Sequence, residues 1–172
     1  YYAYEYANGN DFWQRHDASG GAHPSHGQAI IGADGSWIWV GEDVSSSNPN
    51  PAGIGELLLQ PFNAGAGTAF SVEIDVATSD VSPSSWETDD YLKVQYKMDG
   101  GAWTTVGAFY GDASNNLVAD ANLDGFADVA GAMLTNTLQR FTYNFNTSGT
   151  TLQVRVLHKS DGSEEIAFDR IC

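Results

Sequence analysis

The sequence predicts an all-β fold, a two-sheet antiparallel β-sandwich of jelly-roll type with long acidic loops. Apolar and polar residues alternate in several short segments, and turns rich in Gly, Ser and Pro separate them. No helical stripe of ten or more residues interrupts this pattern. Short strands joined by such turns are typical of sandwiches and jelly rolls. The 172 residues fit a single domain, 1–172, with long loops at 45–55, 78–88 and 110–131.

Four segments show the period-two alternation of a half-buried strand. In segment 70–76 the side chains of Val72, Ile74 and Val76 share one face, and acidic side chains share the other. The same alternation occurs in segments 92–96, 141–145 and 152–156. These four segments are therefore predicted strands.

Two turn signals predict antiparallel hairpins. An Asp-Gly pair begins at Asp99, directly after the second predicted strand. A Thr-Ser-Gly-Thr turn at residues 147–150 separates the last two predicted strands. Turns of this composition between strand patterns favour hairpins, so we expect the flanking strands to pair in both places.

The charge of the chain excludes two classes of partner. Asp and Glu number 22 against 7 Lys and Arg, and the formal net charge is −15. Because nucleic acids and anionic membranes require a basic surface, we expect no nucleic-acid binding and no membrane insertion; divalent cations are the natural partners. Hydrophobic residues make up 42% of the chain, which indicates a folded domain rather than a disordered one.

The sequence also bears on how and where the fold is stabilised. Cys172 is the single cysteine, so no intrachain disulfide forms, and Ca²⁺ would take the stapling role. The sequence shows no charged-then-apolar leader pattern and no apolar run of membrane-spanning length, so we expect that any signal has been removed or was never present. Because Tyr1 opens directly into an aromatic cluster and Cys172 ends a strand-like segment, we expect a mature fragment or an excised module.

Residues 120–131, called here the acidic loop, have the ligand spacing of a calcium-binding loop. Oxygen ligands fall at positions 1, 3, 5, 7 and 9 of the loop, namely Asp120, Asn122, Asp124, the carbonyl of Phe126, and Asp128. A glycine at position 6 permits the sharp bend, and this half of the loop resembles those of EF-hands, dockerins and thrombospondin type 3 repeats. Position 12 is Gly131 instead of a bidentate Glu, so one or two ligands must come from elsewhere. The alternative is a surface turn that is rich in Asp and Asn for conformational reasons.

Several motifs in the second half of the chain carry a wider resemblance. They are WETDDYLKV at 86–94, MDGGAW at 98–103, the acidic loop, and EEIAFDRI at 164–171. In this order they resemble an extracellular jelly-roll module, similar in plan to MAM and concanavalin-like domains and to the calcium-stabilised jelly rolls of carbohydrate-binding modules.

The resemblance implies a second structural calcium that joins the first and last strands. It nominates Glu5 from the opening motif and Asp169 from the closing motif, with Glu42 or Asp43 as a possible partner. Arg170 stands where an Asn is common in such modules. The alternative is that these carboxylates simply face solvent at strand ends.

The favoured function is a non-catalytic, calcium-stabilised extracellular module for glycan binding or adhesion. Trp86, in a Ser-Pro-Ser-Ser-Trp loop, is the candidate for an exposed ring that stacks on a sugar. Trp37 and Trp39 lie two residues apart, share a strand face, and are expected in the core.

Two other functions remain open. One is a structural subunit of an extracellular fibre, sheath or matrix, whose Tyr-rich first six residues dock into neighbouring subunits; the same segment also fits an edge strand of its own sandwich. The less favoured one is a polysaccharide-active enzyme, for which no catalytic motif is present. A zinc site formed by His16, His23 and His26 is a weaker alternative to a polar loop.

Overall fold

A computed structural model gives the fold, and it describes residues 2–3, 5–8, 11–18, 29–44, 53–79, 86–162 and 164–172. His23 and His26 lie outside the described residues. In chain order the strands are β1 Tyr2–Ala3, β2 Tyr6–Asn8, β3 Asp11–Asp17, β4 Trp37–Glu42, β5 Gly55–Leu58, β6 Phe62–Asn63, β7 Ala69–Thr78, β8 Tyr91–Met98, β9 Thr104–Gly111, β10 Leu117–Ala119, β11 Gln139–Asn146, β12 Thr151–Lys159 and β13 Glu165–Asp169.

These strands form the two antiparallel sheets of a β-sandwich, which confirms the predicted fold class. The first sheet has the order β1-β5-β12-β8-β9-β10, with β6 also paired to β12. The second sheet has the order β11-β7-β13-β4-β3-β2. From β10 to β13 the chain changes sheet at every connection, so strands distant in sequence become neighbours. None of the helices among the described residues is long and apolar enough to span a membrane.

The four predicted strands are confirmed as β7, β8, β11 and β12. The first predicted hairpin is also confirmed, because β8 pairs with β9 across a turn in which Asp99 and Gly100 have φ values of 49° and 73°. The Tyr-rich start supplies β1 at the edge of the first sheet and β2 at the edge of the second.

The second predicted hairpin is wrong, because β11 and β12 belong to different sheets. β11 pairs with β7, and β12 pairs with β8. The connecting turn is held by Asp99, whose Oδ1 accepts hydrogen bonds from the amides of Thr150 at 3.0 Å and Thr151 at 2.9 Å. The turn sequence therefore signals a reversal of the chain, while the sandwich determines which strands pair.

A main core fills the space between the sheets, and a smaller apolar cluster covers the outer face of the second sheet. Aromatic side chains dominate the main core: Trp13, Trp39, Trp86, Phe109 and Phe168. The smaller cluster contains Phe12, Ile30, Ile38, Val40, Ala77 and Ala167. Burying each large apolar side chain contributes about 1.5–3 kcal/mol, so both layers stabilise the sandwich.

Only one of the two tryptophans on β4 lies in the core. Trp39 is 6% exposed and packs edge-on against Trp13, with ring centroids 5.4 Å apart. Trp37 is 58% exposed, and the Arg15 guanidinium lies 6.0 Å from its ring centroid. The core prediction is therefore wrong for Trp37. β4 begins at this residue, where a surface cavity of about 200 Å³ opens towards Leu57 of the first sheet.

Candidate metal sites

The acidic loop follows β10 and turns around the carboxylate of Asp120. This side chain is 3% exposed, and its two oxygens accept hydrogen bonds from the amides of Asp124 at 3.2 Å and Gly125 at 2.9 Å. A positive φ of 96° at Gly125 allows the bend expected at position 6. The first predicted ligand is thus positioned by the bend of the loop itself.

The other predicted side-chain ligands also bond within the loop. Asn122 Oδ1 accepts from the Asp124 amide at 2.9 Å, and Asp124 Oδ1 accepts from the Phe126 amide at 3.1 Å. Asp128 Oδ2 accepts from the Ala121 amide at 2.7 Å, and its Oδ1 accepts from the Asn122 side chain at 3.2 Å. Because a carboxylate offers about four lone-pair sites, these bonds leave acceptor capacity for a cation.

Tertiary packing explains the glycine at position 12 of the loop. A Cβ on Gly131 would lie 2.2 Å from the carbonyl oxygen of Ala119 at the end of β10. The Gly131 amide also donates to the Asp128 carbonyl at 2.9 Å. No side chain fits at this position, so a closing ligand from position 12 is sterically excluded.

The acidic loop and the residues after it also expose apolar side chains. Leu123, Phe126, Val129 and Met133 account for four of the seven large hydrophobic residues recorded as exposed in the described part of the chain. Phe126, Val129 and Met133 line a surface cavity of about 500 Å³. A contiguous exposed apolar surface of this kind is typical of interaction sites.

The residues predicted to join the first and last strands have other partners, and two of them, Asp43 and Asp169, lie at opposite ends of β13. Glu5 forms an ion pair with Arg15 at 3.4 Å. Asp169 Oδ2 accepts from the Asp34 amide at 2.8 Å. Asp43 follows β4 at the end where Glu42 faces Glu165, whereas Asp169 closes the other end of β13. Because a strand rises about 3.3 Å per residue, roughly 13 Å separates these two ends.

Arginines neutralise the acidic residues near the end of β13. Arg170 Nε lies 3.2 Å from Asp34 and 3.3 Å from Asp75. Arg140 Nε also contacts Asp75, at 2.8 Å. A guanidinium thus supplies positive charge where the resemblance implied a metal ligand.

Trp86 is buried, so the prediction of an exposed sugar-stacking ring is wrong. Its side chain is 1% exposed, and its indole Nε1 donates to Thr78 Oγ1 at 3.1 Å. The ring meets His158 edge-on with centroids 6.0 Å apart. Trp86 enters the core just before β8, and this inward placement leaves no exposed ring to stack on a sugar.

A second acidic group was not predicted from the sequence. It consists of Glu87, Asp90, Asp161 and Glu164, called here the four-carboxylate cluster. One carboxylate oxygen from each residue lies within 4.8 Å of the others, so the group can hold a metal ion. Two residues precede β8, and two lie between β12 and β13.

Two members of the cluster are buried and have orphan oxygens. Asp90 is 0% exposed and Glu164 is 3% exposed. Asp90 Oδ2 accepts from the Glu87 amide at 2.8 Å, but Asp90 Oδ1 and Glu164 Oε2 have no hydrogen-bond partner within the described structure. Burial, followed by nearby acidic groups, raises the pKa of Asp90 to about 8 and that of Glu164 to about 7. The nearby Lys159 pairs with Asp89, which is outside the cluster.

Close backbone packing holds the cluster together. A Cβ on Gly111 would lie 1.9 Å from the Glu87 carbonyl oxygen, so β9 fits directly against the turn before β8. A Cβ on Gly162 would lie 2.7 Å from Glu164 Oε1. These two glycines leave the space that the two halves of the cluster occupy.

Strand pairing explains why sequence reasoning missed the cluster. β8 and β12 are not consecutive in the chain, yet they pair with Tyr91 opposite Lys159. This register places the acidic residues before β8 beside those after β12. The acidic ends of the two segments were visible in the sequence, but their pairing was not.

The fold is a two-sheet β-sandwich domain, and among its described residues one group of acidic side chains, the four-carboxylate cluster, lies close enough together to hold a metal ion. No protein-family model and no curated protein matches the sequence. Among solved structures, the chain is similar to the K3 cleaved adhesin domain of Lys-gingipain (Kgp) from Porphyromonas gingivalis W83, with 15% identity and a TM-score of 0.43. The alignment covers 92% of this chain and 89% of that chain.

Proposed function

We propose that this chain is a non-catalytic extracellular module for adhesion, whose binding surface is stabilised by Ca²⁺ in the acidic loop. The partner is a glycan or a neighbouring protein subunit. One observation carries the proposal: the segment with the calcium-ligand spacing also holds three of the seven exposed large hydrophobic residues in the described chain, and a fourth, Met133, follows it closely.

The ligand chemistry of the loop supports Ca²⁺. The proposed ligands are all oxygens, as this hard cation requires: Asp120, Asn122, Asp124, the Phe126 carbonyl and Asp128. The missing ligand at position 12 implies modest affinity. Calcium-binding extracellular modules work with dissociation constants of about 10⁻⁴–10⁻³ M, so such a site is useful outside the cell.

The exposed side chains support partner binding. Phe126 is 67% exposed, and Val129 is fully exposed. Both belong to the loop that Ca²⁺ would rigidify, so cation binding would reduce the entropy lost when a partner orders this surface. This coupling makes adhesion dependent on calcium.

A comparison of two surface phenylalanines tests the proposal. Phe126→Ser removes an apolar side chain from the acidic loop, whereas the matched control Phe62→Ser changes a residue that is 51% exposed on β6. Binding is measured on a glycan array, and self-association by sedimentation, both in CaCl₂ and in EDTA. Asp124→Ala is included to remove a calcium ligand.

We expect the wild type and Phe62→Ser to bind a glycan or a second copy in CaCl₂ and to lose this binding in EDTA. Phe126→Ser should lose binding in both conditions, and Asp124→Ala should behave in CaCl₂ as the wild type does in EDTA. Absence of both glycan binding and self-association in CaCl₂ would overturn the proposal, as would full binding by Phe126→Ser.

A further inference from the structure

We propose that the four-carboxylate cluster is a second, independent cation site, with Ca²⁺ as its ligand. One oxygen from each of Glu87, Asp90, Asp161 and Glu164 lies within 4.8 Å of the others, a spacing that one ion can bridge. The inference does not depend on the acidic loop or on the proposed adhesive function.

The buried orphan oxygens point to a cation rather than to a chance grouping of acids. Asp90 Oδ1 and Glu164 Oε2 are buried without a hydrogen-bond partner in the described structure, and both belong to the cluster. Buried charge is costly unless it is paired or coordinates a metal.

Lys159 interacts electrostatically with Asp90 and Asp161 but directs its hydrogen bond to a carboxylate outside the cluster. Lys159 bonds to the Asp89 carboxylate, and Asp89 is not a member of the cluster. Arg155 bonds to Glu56 at 2.8 Å. The buried oxygens Asp90 Oδ1 and Glu164 Oε2 therefore receive no hydrogen bond from these two cations.

The chemistry of the cluster selects among cations. It offers oxygen ligands from carboxylates and neither nitrogen nor sulfur, which disfavours zinc and copper. Four carboxylates, bound through one or two oxygens each, supply four to eight ligands, which matches the six to eight that Ca²⁺ takes. Glu87 and Asp161 are exposed, so the ion can enter from solvent.

A bound ion would connect two parts of the first sheet that are distant in sequence. Glu87 and Asp90 lie before β8, while Asp161 and Glu164 lie between β12 and β13. β12 belongs to the first sheet and β13 to the second. Calcium here would therefore fix the point where the chain crosses between the sheets.

The test uses variants of the full chain in the Asp124→Ala background, so that calcium in the acidic loop does not contribute. Asp90→Asn and Glu164→Gln remove charge from the cluster while conserving shape. Asp89→Asn is the matched control, because it removes a charge from the adjacent residue, which lies outside the cluster. Thermal unfolding is measured in EDTA and in CaCl₂, and calorimetry gives the number of bound ions.

In EDTA, Asp90→Asn and Glu164→Gln should melt at or above the parent temperature, because each removes a buried carboxyl group whose charged form burial disfavours. In saturating CaCl₂, the parent and Asp89→Asn should gain about 5–10 °C and bind one ion. The two cluster variants should gain less than about 2 °C.

A different variant tests the geometry without altering the charge. Gly162→Ala keeps all four carboxylates, but its Cβ would displace the Glu164 carboxylate. We expect at least about a tenfold loss of calcium affinity, as is found when supporting groups around a metal are disturbed. The proposal is overturned if CaCl₂ does not raise the melting temperature of the parent, or if Asp90→Asn responds as fully as Asp89→Asn.

Discussion

The acidic loop and the four-carboxylate cluster are both rich in carboxylates, but their oxygens are satisfied in different ways. In the acidic loop, Asp120 and its neighbours accept hydrogen bonds from amides of the same loop. In the cluster, Asp90 and Glu164 each keep a buried oxygen without a partner in the described structure. The loop can therefore hold its shape alone, whereas the cluster keeps two buried carboxyl oxygens without a hydrogen-bond donor.

The hydrogen bonds of the acidic loop follow from its local sequence, whereas the unpartnered oxygens of the cluster follow from the tertiary fold. Regular spacing of Asp and Asn stabilises a turn whether or not a cation binds, because the side chains accept from nearby amides. Buried orphan oxygens arise only when the fold brings distant residues together. We conclude that stability should depend on a cation more strongly at the cluster than at the acidic loop.

The largest expected effect comes from disturbing the backbone that positions the cluster. In Gly111→Ala, the new Cβ would lie 1.9 Å from the Glu87 carbonyl oxygen and 2.8 Å from that of Trp86. Because backbone must move, we expect a loss of about 3 kcal/mol in the free energy of unfolding, with loss of the calcium response of the cluster. Denaturant unfolding measures the free energy of unfolding, and calorimetry measures calcium binding by the cluster.

Gly101→Ala is the control for that variant. Its Cβ would lie 3.1 Å from the Met98 carbonyl oxygen at the β8–β9 turn, away from the cluster. It should cost less than about 1 kcal/mol and leave calcium binding intact. If Gly111→Ala were as stable as Gly101→Ala, close packing would not be what positions Glu87.

A smaller effect is expected from the buried histidine on β12, the strand that leads into the cluster. Burial lowers the pKa of His158 to about 3. Below pH 6.5 the unfolded chain binds a proton that the folded chain excludes, so stability falls as the pH drops from 6.5 towards 3. At pH 5 the loss should be about 2 kcal/mol.

The pH dependence of unfolding for His158→Gln checks this prediction. The free energy of unfolding of the wild type minus that of the variant should fall by about 2 kcal/mol between pH 7 and pH 5, whatever its value at pH 7. His16 lies at a half-buried position on β3. For His16→Gln, the difference in stability from the wild type should change much less between pH 7 and pH 5. A constant difference between pH 7 and pH 5 would show that His158 is not held neutral by the fold.

The sequence allowed much of the fold to be predicted, because strand periodicity is a local signal. Segment 70–76 alternates and lies within β7, and the Asp-Gly pair at Asp99 forms the predicted hairpin. The sheets to which β11 and β12 belong could not be predicted in this way. A turn at residues 147–150 reverses the chain whether the next strand pairs with β11 or joins the other sheet. Which of the two occurs depends on contacts far away in sequence.

The two candidate sites also differ in whether they depend on local sequence or on strand pairing. The ligand spacing of the acidic loop is local and was found from the sequence, and its calcium binding stays a prediction. The four-carboxylate cluster depends on the register of β8 with β12 and could not be found this way. Trp86 shows the opposite error, since a Ser- and Pro-rich context suggested exposure, while the fold directs the ring into the core.

The most direct measurement is an anomalous difference map from a crystal grown with Tb³⁺ in place of Ca²⁺. We predict a strong peak in the four-carboxylate cluster, with oxygens of Asp90 and Glu164 at about 2.3–2.6 Å from the ion. The account is contradicted if the cluster has no peak and these two side chains instead share a proton or bind water.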